Sequence, residues 1–418
     1  MLLAYRLERL LRFGTLTVID AGGTYRIFGD GMEPAVTIRL ADRHLPLALL
    51  VDAELALPEA YMDGRLTIER GSLYMLLDLM VHNLRHRGPE AGFGLRAHLR
   101  SLVRSMRRRN PIGRAQANVA HHYDLSDELY RLFLDTERGY SCAFFETGRE
   151  DLETAQRAKE RRIAAKLLLR PGMRVLDIGS GWGALTRHLC ELAGRQIDLT
   201  GITLSREQHA YAVRRAEEVG LAERLDYQLV DYRQVKGRFD RIVSVGMFEH
   251  VGVPHYDEYF QHLRELLTDD GIALVHSIGR AHGPYDTMPF IRKYIFPGGY
   301  IPALSEVLPA IERARLWVTD LEVLRLHYAR TLRCWRERLA AHQAAVEALY
   351  DARFYRMWEF YLVASELFFS HEDGMVFQIQ LSADRNAVPL TRDYLLPQPP
   401  AANRNLAAEM PRELDRAS

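Results

Sequence analysis

Four short stretches carry residues able to hold an anion or move a proton. "FDRIVSVGMFEHVG" (239–252) delivers Glu249 and His250 directly after an apolar run. "GIALVHSIG" (271–279) delivers His276 and Ile278 at the end of another. "ERGYSCAFFE" (137–146) holds Tyr140, Ser141 and Cys142, and "LHYARTL" (326–332) holds Tyr328. A carboxyl, an imidazole, a thiol and a phenol are a general acid–base and hydrogen-bonding set. Each has a plainer explanation. Cys142 would serve as a small buried hydrophobe, Glu249 as a helix cap, His276 as a satisfied core histidine and Tyr328 as part of a helix's apolar face. Their expected joint position at one crevice is what sets them apart.

A fifth stretch asks for a ligand. In "RVLDIGSGWGALTRHL" (174–189) a short apolar strand runs into a glycine turn and then an amphipathic helix. Gly179-x-Gly181-x-x-Ala184 formally meets the dinucleotide fingerprint. Two features point elsewhere. Asp177 lies on the strand two residues before the first glycine, and Gly183 adds a third glycine to the turn. The next strand, "IDLTGITLS" (197–205), ends in Thr203 and Ser205, with no acid for a dinucleotide ribose. S-adenosylmethionine suits this pattern better. The glycine turn lets backbone approach the ligand, and an acid nearby meets its ammonium group.

These residues need a sheet to position them. From 170 onward strands and helices alternate as in an α/β fold, through "RVLDIG", "IDLTGIT", "LDYQLVD", "FDRIVSVG" and "GIALVHSIG". Ligands bind such sheets at the carboxyl ends of the strands. After 285 the pattern reads as helical and aromatic, with one long helix over 321–350 and another over 353–374. From 15 to 75 short β-rich runs alternate with turns, with Gly22-Gly23 as a hairpin turn and a closing helix in "SLYMLLDLMVHNLRH". We therefore expect a small α+β accessory domain over 1–84. An Arg-rich linker is expected over 85–118, read either as solvated chain or as a patch for anionic lipid headgroups. A catalytic domain is expected over 119–396, and a polar, proline-rich, disordered tail over 397–418.

Composition sets the outer limits. Lys and Arg together number 55, as do Asp and Glu, so no global field attracts nucleic acid. Hydrophobic residues make up 48%, enough for a large core. The three cysteines, Cys142, Cys190 and Cys334, are too scattered for a disulfide frame or a metal site. No apolar run reaches the roughly 18 residues of a spanning helix. A cytoplasmic protein that meets membranes only at their surface is expected.

At these residues the sequence resembles the cyclopropane fatty acid synthases, relatives of the mycolic acid cyclopropane synthases. The matching stretches occur in order: "HHYDLSDELYRLFLD" (121–135), "YSCAFFE", "RVLDIGSGWG", "GITLSREQ" (201–208), "GMFEHVG", "HSIG", "FIRKYIFPGGYIP" (290–302) and "HYARTLRCW" (327–335). "EAYMDGRLTIERGSLYMLL" (59–77) is similar to the extra N-terminal domain of the bacterial synthases, which mycolic-type enzymes lack. The resemblance implies a Rossmann-like class I methyltransferase sheet with helical additions. It implies methylene transfer from adenosylmethionine to a cis double bond of a phospholipid acyl chain. The adenosylmethionine contacts would fall on Tyr140, Ser141, Asp177, Gly179, Gly181, Thr203, Leu204 and Gln208, with Asp231 and Tyr232 beside the adenine. Related proteins often carry Trp where this chain has Tyr232. A bicarbonate site would fall on Cys142, Glu249, His276, Tyr328 and Ile278, the last through its backbone. A homodimer working at the inner face of a phospholipid membrane is also implied.

The chemistry makes sense of that set. An alkene is a poor nucleophile, so its π bond must be aligned with the sulfonium methyl. Methyl capture leaves a carbocation that water would quench, so the pocket must exclude water. Aromatic faces stabilise a desolvated cation by roughly 2 kcal/mol. The Phe and Tyr residues around 140–145, 256–260 and 290–300 are the candidates for that role. A base must then take a proton from the added methyl. Competing outcomes are a methylene- or methyl-branched lipid, or lipid binding without catalysis.

Overall fold

A computed structural model describes residues 2–86 and 125–396. Most of the expected Arg-rich linker, and the expected tail, lie outside the described residues. The N-terminal unit is a four-stranded sheet in the order β2-β1-β3-β4, built from β1 (Thr15–Ile19), β2 (Tyr25–Gly29), β3 (Ala35–Leu40) and β4 (Leu66–Arg70). The β1–β2 hairpin turns at Gly22-Gly23 as expected. Asp20 Oδ1 accepts from the backbone N–H groups of Gly22 and Thr24, and Gly23 takes φ +82°.

Three helices complete this unit: α1 (Leu2–Leu10), α2 (Leu45–Met62) and α3 (Leu73–Arg85). The first two were not evident in the sequence. In α2 the proline at its start, Pro58 and the non-helical backbone at Asp52 interrupt the periodic pattern. Ser72 caps α3, its hydroxyl accepting from Met75 N–H at 3.2 Å.

The second unit opens with α4 (Asp127–Phe133) and α5 (Leu152–Leu167). A doubly wound sheet follows: β5 (Arg174–Ile178), α6 (Ala184–Leu192), β6 (Asp198–Thr203), α7 (Arg206–Glu218), β7 (Leu225–Leu229), β8 (Phe239–Val245), α8 (Tyr256–Leu266) and β9 (Leu267–Arg280). These five strands are parallel, as the unbroken apolar runs imply. Strand order is β10-β11-β9-β8-β5-β6-β7. The chain leaves β5 toward β6 and returns to its other side at β8. That reversal opens a crevice at the carboxyl end of β5.

Beyond 285 the structure corrects the helical reading. α9 (Leu304–Arg313) leads into a strand, β10 (Trp317–Val323). The long helix is then two, α10 (His327–Ala341) and α11 (Gln343–Leu349). After α12 (Ala352–His371) comes β11 (Gly374–Ser382), inserted antiparallel between β9 and β10. β10 is a mixed-polarity edge strand that runs straight into helical sequence, and β11 carries buried glutamines, so neither shows a clean strand period.

The two units share a core. Met62, Leu73 and Leu77 join the aromatic cluster of α10 and α12. Tyr61 Oη donates to Glu359 at 2.5 Å, Lys293 pairs with Glu59 at 2.7 Å, and Arg356 donates to the Met62 carbonyl at 2.8 Å.

Candidate active site

The crevice at β5 is a cavity of about 1270 Å³, part of it continuous with solvent. All ten residues expected to hold adenosylmethionine line it: Tyr140, Ser141, Asp177, Gly179, Gly181, Thr203, Leu204, Gln208, Asp231 and Tyr232. They come from the loop before α5, from the carboxyl ends of β5, β6 and β7, and from the first turn of α7.

The glycines have separate reasons. All three take positive φ, +85° at Gly179, +55° at Gly181 and +77° at Gly183. A Cβ at Gly179 would lie 2.9 Å from the Met247 side chain, and one at Gly183 would lie 2.5 Å from Tyr227 Oη. A Cβ at Gly181 would meet no protein atom within 4 Å, because it would project into open space. Gly179 and Gly183 therefore serve packing, and Gly181 keeps the wall open for a ligand.

Asp177 is buried, and its Oδ2 accepts from Thr186 Oγ1 at 2.7 Å. Burial raises its pKa to about 6, against the lowering pull of Thr186 and the Lys159 charge. An incoming ammonium would reverse that shift. Thr203 donates its hydroxyl to Gln208 Oε1 at 2.9 Å, which leaves the Gln208 amide NH2 as the donor end. Ser205 caps α7 and fixes Gln208 through its N–H at 3.3 Å. Asp231 is already held by Arg233, with contacts of 2.8 and 2.7 Å. Its carboxylate therefore reaches the cavity as part of an ion pair.

None of the five residues expected to hold bicarbonate lines this cavity, although their chain neighbours Ser141 and His250 do. Glu249 lies in a short 3₁₀ turn after β8 and makes no helix cap. Its Oε1 accepts from the Ile278 N–H at 2.7 Å, while Oε2 is buried without a hydrogen-bond partner. Desolvation raises its pKa to about 7. The Ile278 amide thus acts through its backbone, but on Glu249. His276 stands two residues earlier on the same face of β9, with Nδ1 3.1 Å from Gln378 Nε2. Burial lowers its pKa to about 3, so the ring is neutral.

Cys142 is buried and its thiol is pushed up by desolvation, which makes it a neutral wall rather than a thiolate. Its neighbour Ala143 donates its N–H to Thr331 Oγ1 at 3.0 Å, one turn beyond Tyr328 on α10. Cys142 and Tyr328 belong to one aromatic cluster, and Ile278 packs against it. Tyr328 lies edge-on to Trp335, with centroids 5.8 Å apart, and Tyr140 Oη sits 2.9 Å from Tyr361 Oη.

The aromatic expectation divides. Tyr140, Phe144, Phe145, Phe290 and Phe296 join this cluster. Tyr256, Tyr259 and Phe260 pack with Phe248 in a different core, because amphipathic α8 buries that face on the sheet.

Two residues escaped the sequence reading. Lys159, on α5, is 3% exposed and lines the cavity. Its Nζ donates to Ser141 Oγ at 3.1 Å, and its charge reaches Asp177, Cys142 and His276. Gln378, behind His276, is the other. Lys159 sits in the charged run "RAKERR", which looks like a solvated helix face, so nothing local singles it out.

The model of the mycolic acid cyclopropane synthetase family matches residues 112–379. The chain belongs to that family. It is 35% identical over 357 residues to the cyclopropane-fatty-acyl-phospholipid synthase of Escherichia coli K12, covering 84% of this chain and 89% of that one. It is 34% identical to the tuberculostearic acid methyltransferase UfaA1 of Mycobacterium tuberculosis, covering 84% of each. Mycolic acid cyclopropane synthase CmaA1, solved with SAH and CTAB, superposes with a TM-score of 0.61 at 34% identity. That match covers 65% of this chain and 99% of the solved one. The family member described here is an S-adenosylmethionine-dependent methyltransferase, and its sheet is the Rossmann-like fold of that class.

Proposed function

We propose that the enzyme transfers a methylene from S-adenosylmethionine to a cis double bond of an unsaturated phospholipid acyl chain, closing a cyclopropane ring. The cavity at β5 receives adenosylmethionine. Asp177 meets its ammonium, the Gln208 amide and Ser141 are donors for its carboxylate, and Tyr232 lies beside the adenine. Gly181 leaves the backbone bare where the ligand passes. The relative solved with SAH supports this use of the pocket.

Methyl transfer breaks the sulfur–methyl bond and joins that carbon to the alkene, leaving a positive charge on the other alkene carbon. The cluster around Tyr140, Phe290, Phe296 and Trp335 keeps water away from it. Ring closure then needs a base for a proton of the new methyl group.

The Glu249 carboxyl is the observation that carries the base assignment. One oxygen is held by the Ile278 N–H, and the other is buried and free for a ligand. His276 lies two residues before Ile278 on the same strand, and Ile278 packs against the cluster that holds Cys142 and Tyr328. That set fits a small, protonated anion better than a nucleophile or a metal. Bicarbonate, when bound, would supply the base. Glu249 Oε2 would accept from its hydroxyl, and His276 and Tyr328 would donate to its oxygens. Burial would strengthen the repulsion between that carboxylate and the anion, and donation of the bicarbonate hydroxyl to Glu249 offsets it.

The acyl chain reaches the site from a bilayer, and the enzyme works as a homodimer at the membrane surface. No described helix is long and apolar enough to cross a membrane. Exposed Leu2 and Tyr5 on α1, and Leu47 and Val51 on α2, are the apolar residues suited to such contact. Turnover on unsaturated phosphatidylethanolamine vesicles, in buffer freed of carbon dioxide and then resupplied with bicarbonate, tests the base. Loss and recovery of activity support it, and full turnover without bicarbonate refutes it.

A further inference from the structure

His276 stands opposite Gln378 on the neighbouring strand, and both side chains are buried. The Gln378 amide touches a different partner at each end. Oε1 lies 2.7 Å from Lys166 Nζ, and Nε2 lies 3.1 Å from His276 Nδ1. An ammonium can only donate, so Gln378 must turn its oxygen to Lys166. Its NH2 then faces the ring, and an NH2 group can only donate. Nδ1 must therefore carry a lone pair.

Lys166 has no freedom to undo this. It is fully buried at the end of α5, and its Nζ is 2.6 Å from Glu322. Glu322 is clasped in turn by Arg162 through contacts of 2.8 and 2.5 Å. The Lys166 carbonyl accepts from Gln380 Nε2 at 2.6 Å.

We propose that Lys166 and Gln378 are positioning residues that lock His276 in its Nε2–H tautomer, so that the ring offers the active site one neutral N–H donor. The proposal rests on the reading of His276 as an anion-site residue. The opposite tautomer would turn a lone pair toward a bound anion and repel it. An imidazolium would hold the anion more tightly but lower its basicity. A neutral donor orients the base without weakening it.

Gln378→Glu is the near-isosteric test. A carboxylate keeps the Lys166 contact but has no hydrogen for Nδ1, so the ring must take a proton there. Ring nitrogen shifts are read by long-range ¹H–¹⁵N NMR on the full chain labelled at histidine, with His276 assigned from His276→Ala. Turnover is read on unsaturated phospholipid vesicles with adenosylmethionine. In the unmodified enzyme we expect a bare Nδ1 and a protonated Nε2 from about pH 6 to 9. In Gln378→Glu we expect a protonated Nδ1, at least a tenfold fall in kcat and a KM for adenosylmethionine within twofold. A protonated Nδ1 in the unmodified enzyme overturns the proposal without any variant. Full turnover in Gln378→Glu, with His276→Ala inactive, overturns the relay alone. Full turnover in His276→Ala overturns the reading of the site itself.

Discussion

The Ile278 N–H donates to Glu249 Oε1 at 2.7 Å, joining the carboxyl ends of β9 and β8 and leaving Glu249 Oε2 buried and unpartnered. One backbone group thus aims one carboxyl oxygen, and the carboxyl pays for its place by desolvation.

That burial has a measurable sign. The Glu249 pKa is raised to about 7 from an ordinary 4.5. An acid whose folded pKa is raised favours the folded state while it is protonated. Its stabilising effect is full below about pH 4.5 and is lost as pH rises through 7. Glu249→Gln should therefore be more stable than the parent at pH 8, by on the order of 2 kcal/mol, with the gap closing toward pH 4.5. Thermal unfolding at the two pH values checks this. The same variant should lose about 10²- to 10⁴-fold in kcat while binding adenosylmethionine normally. Equal stability at both pH values would contradict the burial.

Asp177 makes adenosylmethionine binding depend on pH. Its pKa of about 6 in the free protein must fall when an ammonium arrives. Affinity should weaken as pH drops from 7.5 to 5.5, since protonated Asp177 offers no charge. Asp177→Asn should bind roughly 10- to 100-fold more weakly at pH 7.5, as expected for a hydrogen bond to a charged group. The variant should also lose the pH dependence. Calorimetric titration at both pH values is the check.

Two glycines of one turn should answer differently to the same substitution. Gly183→Ala puts a Cβ 2.5 Å from Tyr227 Oη at a φ of +77°, so both clash and backbone strain oppose it. Gly181→Ala meets no protein atom. We expect Gly183→Ala to cost about 2–4 kcal/mol of stability, and Gly181→Ala about 1–2 kcal/mol from its left-handed backbone alone. Adenosylmethionine affinity should fall in Gly181→Ala beyond what its stability explains. Denaturant unfolding paired with ligand titration separates the two.

The N-terminal unit should be coupled energetically to the catalytic one. Tyr61 Oη donates to Glu359, whose own pKa is raised by burial. Tyr61→Phe and Glu359→Gln, made singly and together, should show a coupling of about 1–2 kcal/mol in a double-mutant cycle. Additive effects would mean that the contact contributes nothing between the units.

The sequence carried the site further than the fold around it. Asp177 and the glycine turn announce themselves because their chemistry depends on local spacing, and the structure places them in one cavity with Thr203, Leu204 and Gln208. Glu249 was legible because it follows a recognisable strand, and His276 because it lies toward the carboxyl end of one. Lys159 and Gln378 were not, because their roles come from what packs against them. A lysine in "RAKERR" looks solvated until α5 turns it inward. Gln378 depends on β11, whose alternation is hidden by burial on both faces. The same burial, with the edge character of β10, is why two strands of seven went unread. The helix α2 was obscured by its own prolines and by the break at Asp52.

The ring-forming claim is tested most directly by adenosylmethionine carrying a CD3 group. Unsaturated phospholipid vesicles are treated with the full-length enzyme, and the modified acyl chains are analysed by mass spectrometry and proton NMR. The account predicts that two of the three deuterons are retained, on a cis-cyclopropane methylene, because one leaves to the base before the ring closes. Retention of all three in a methyl branch, or of two on an exocyclic double bond, would contradict it.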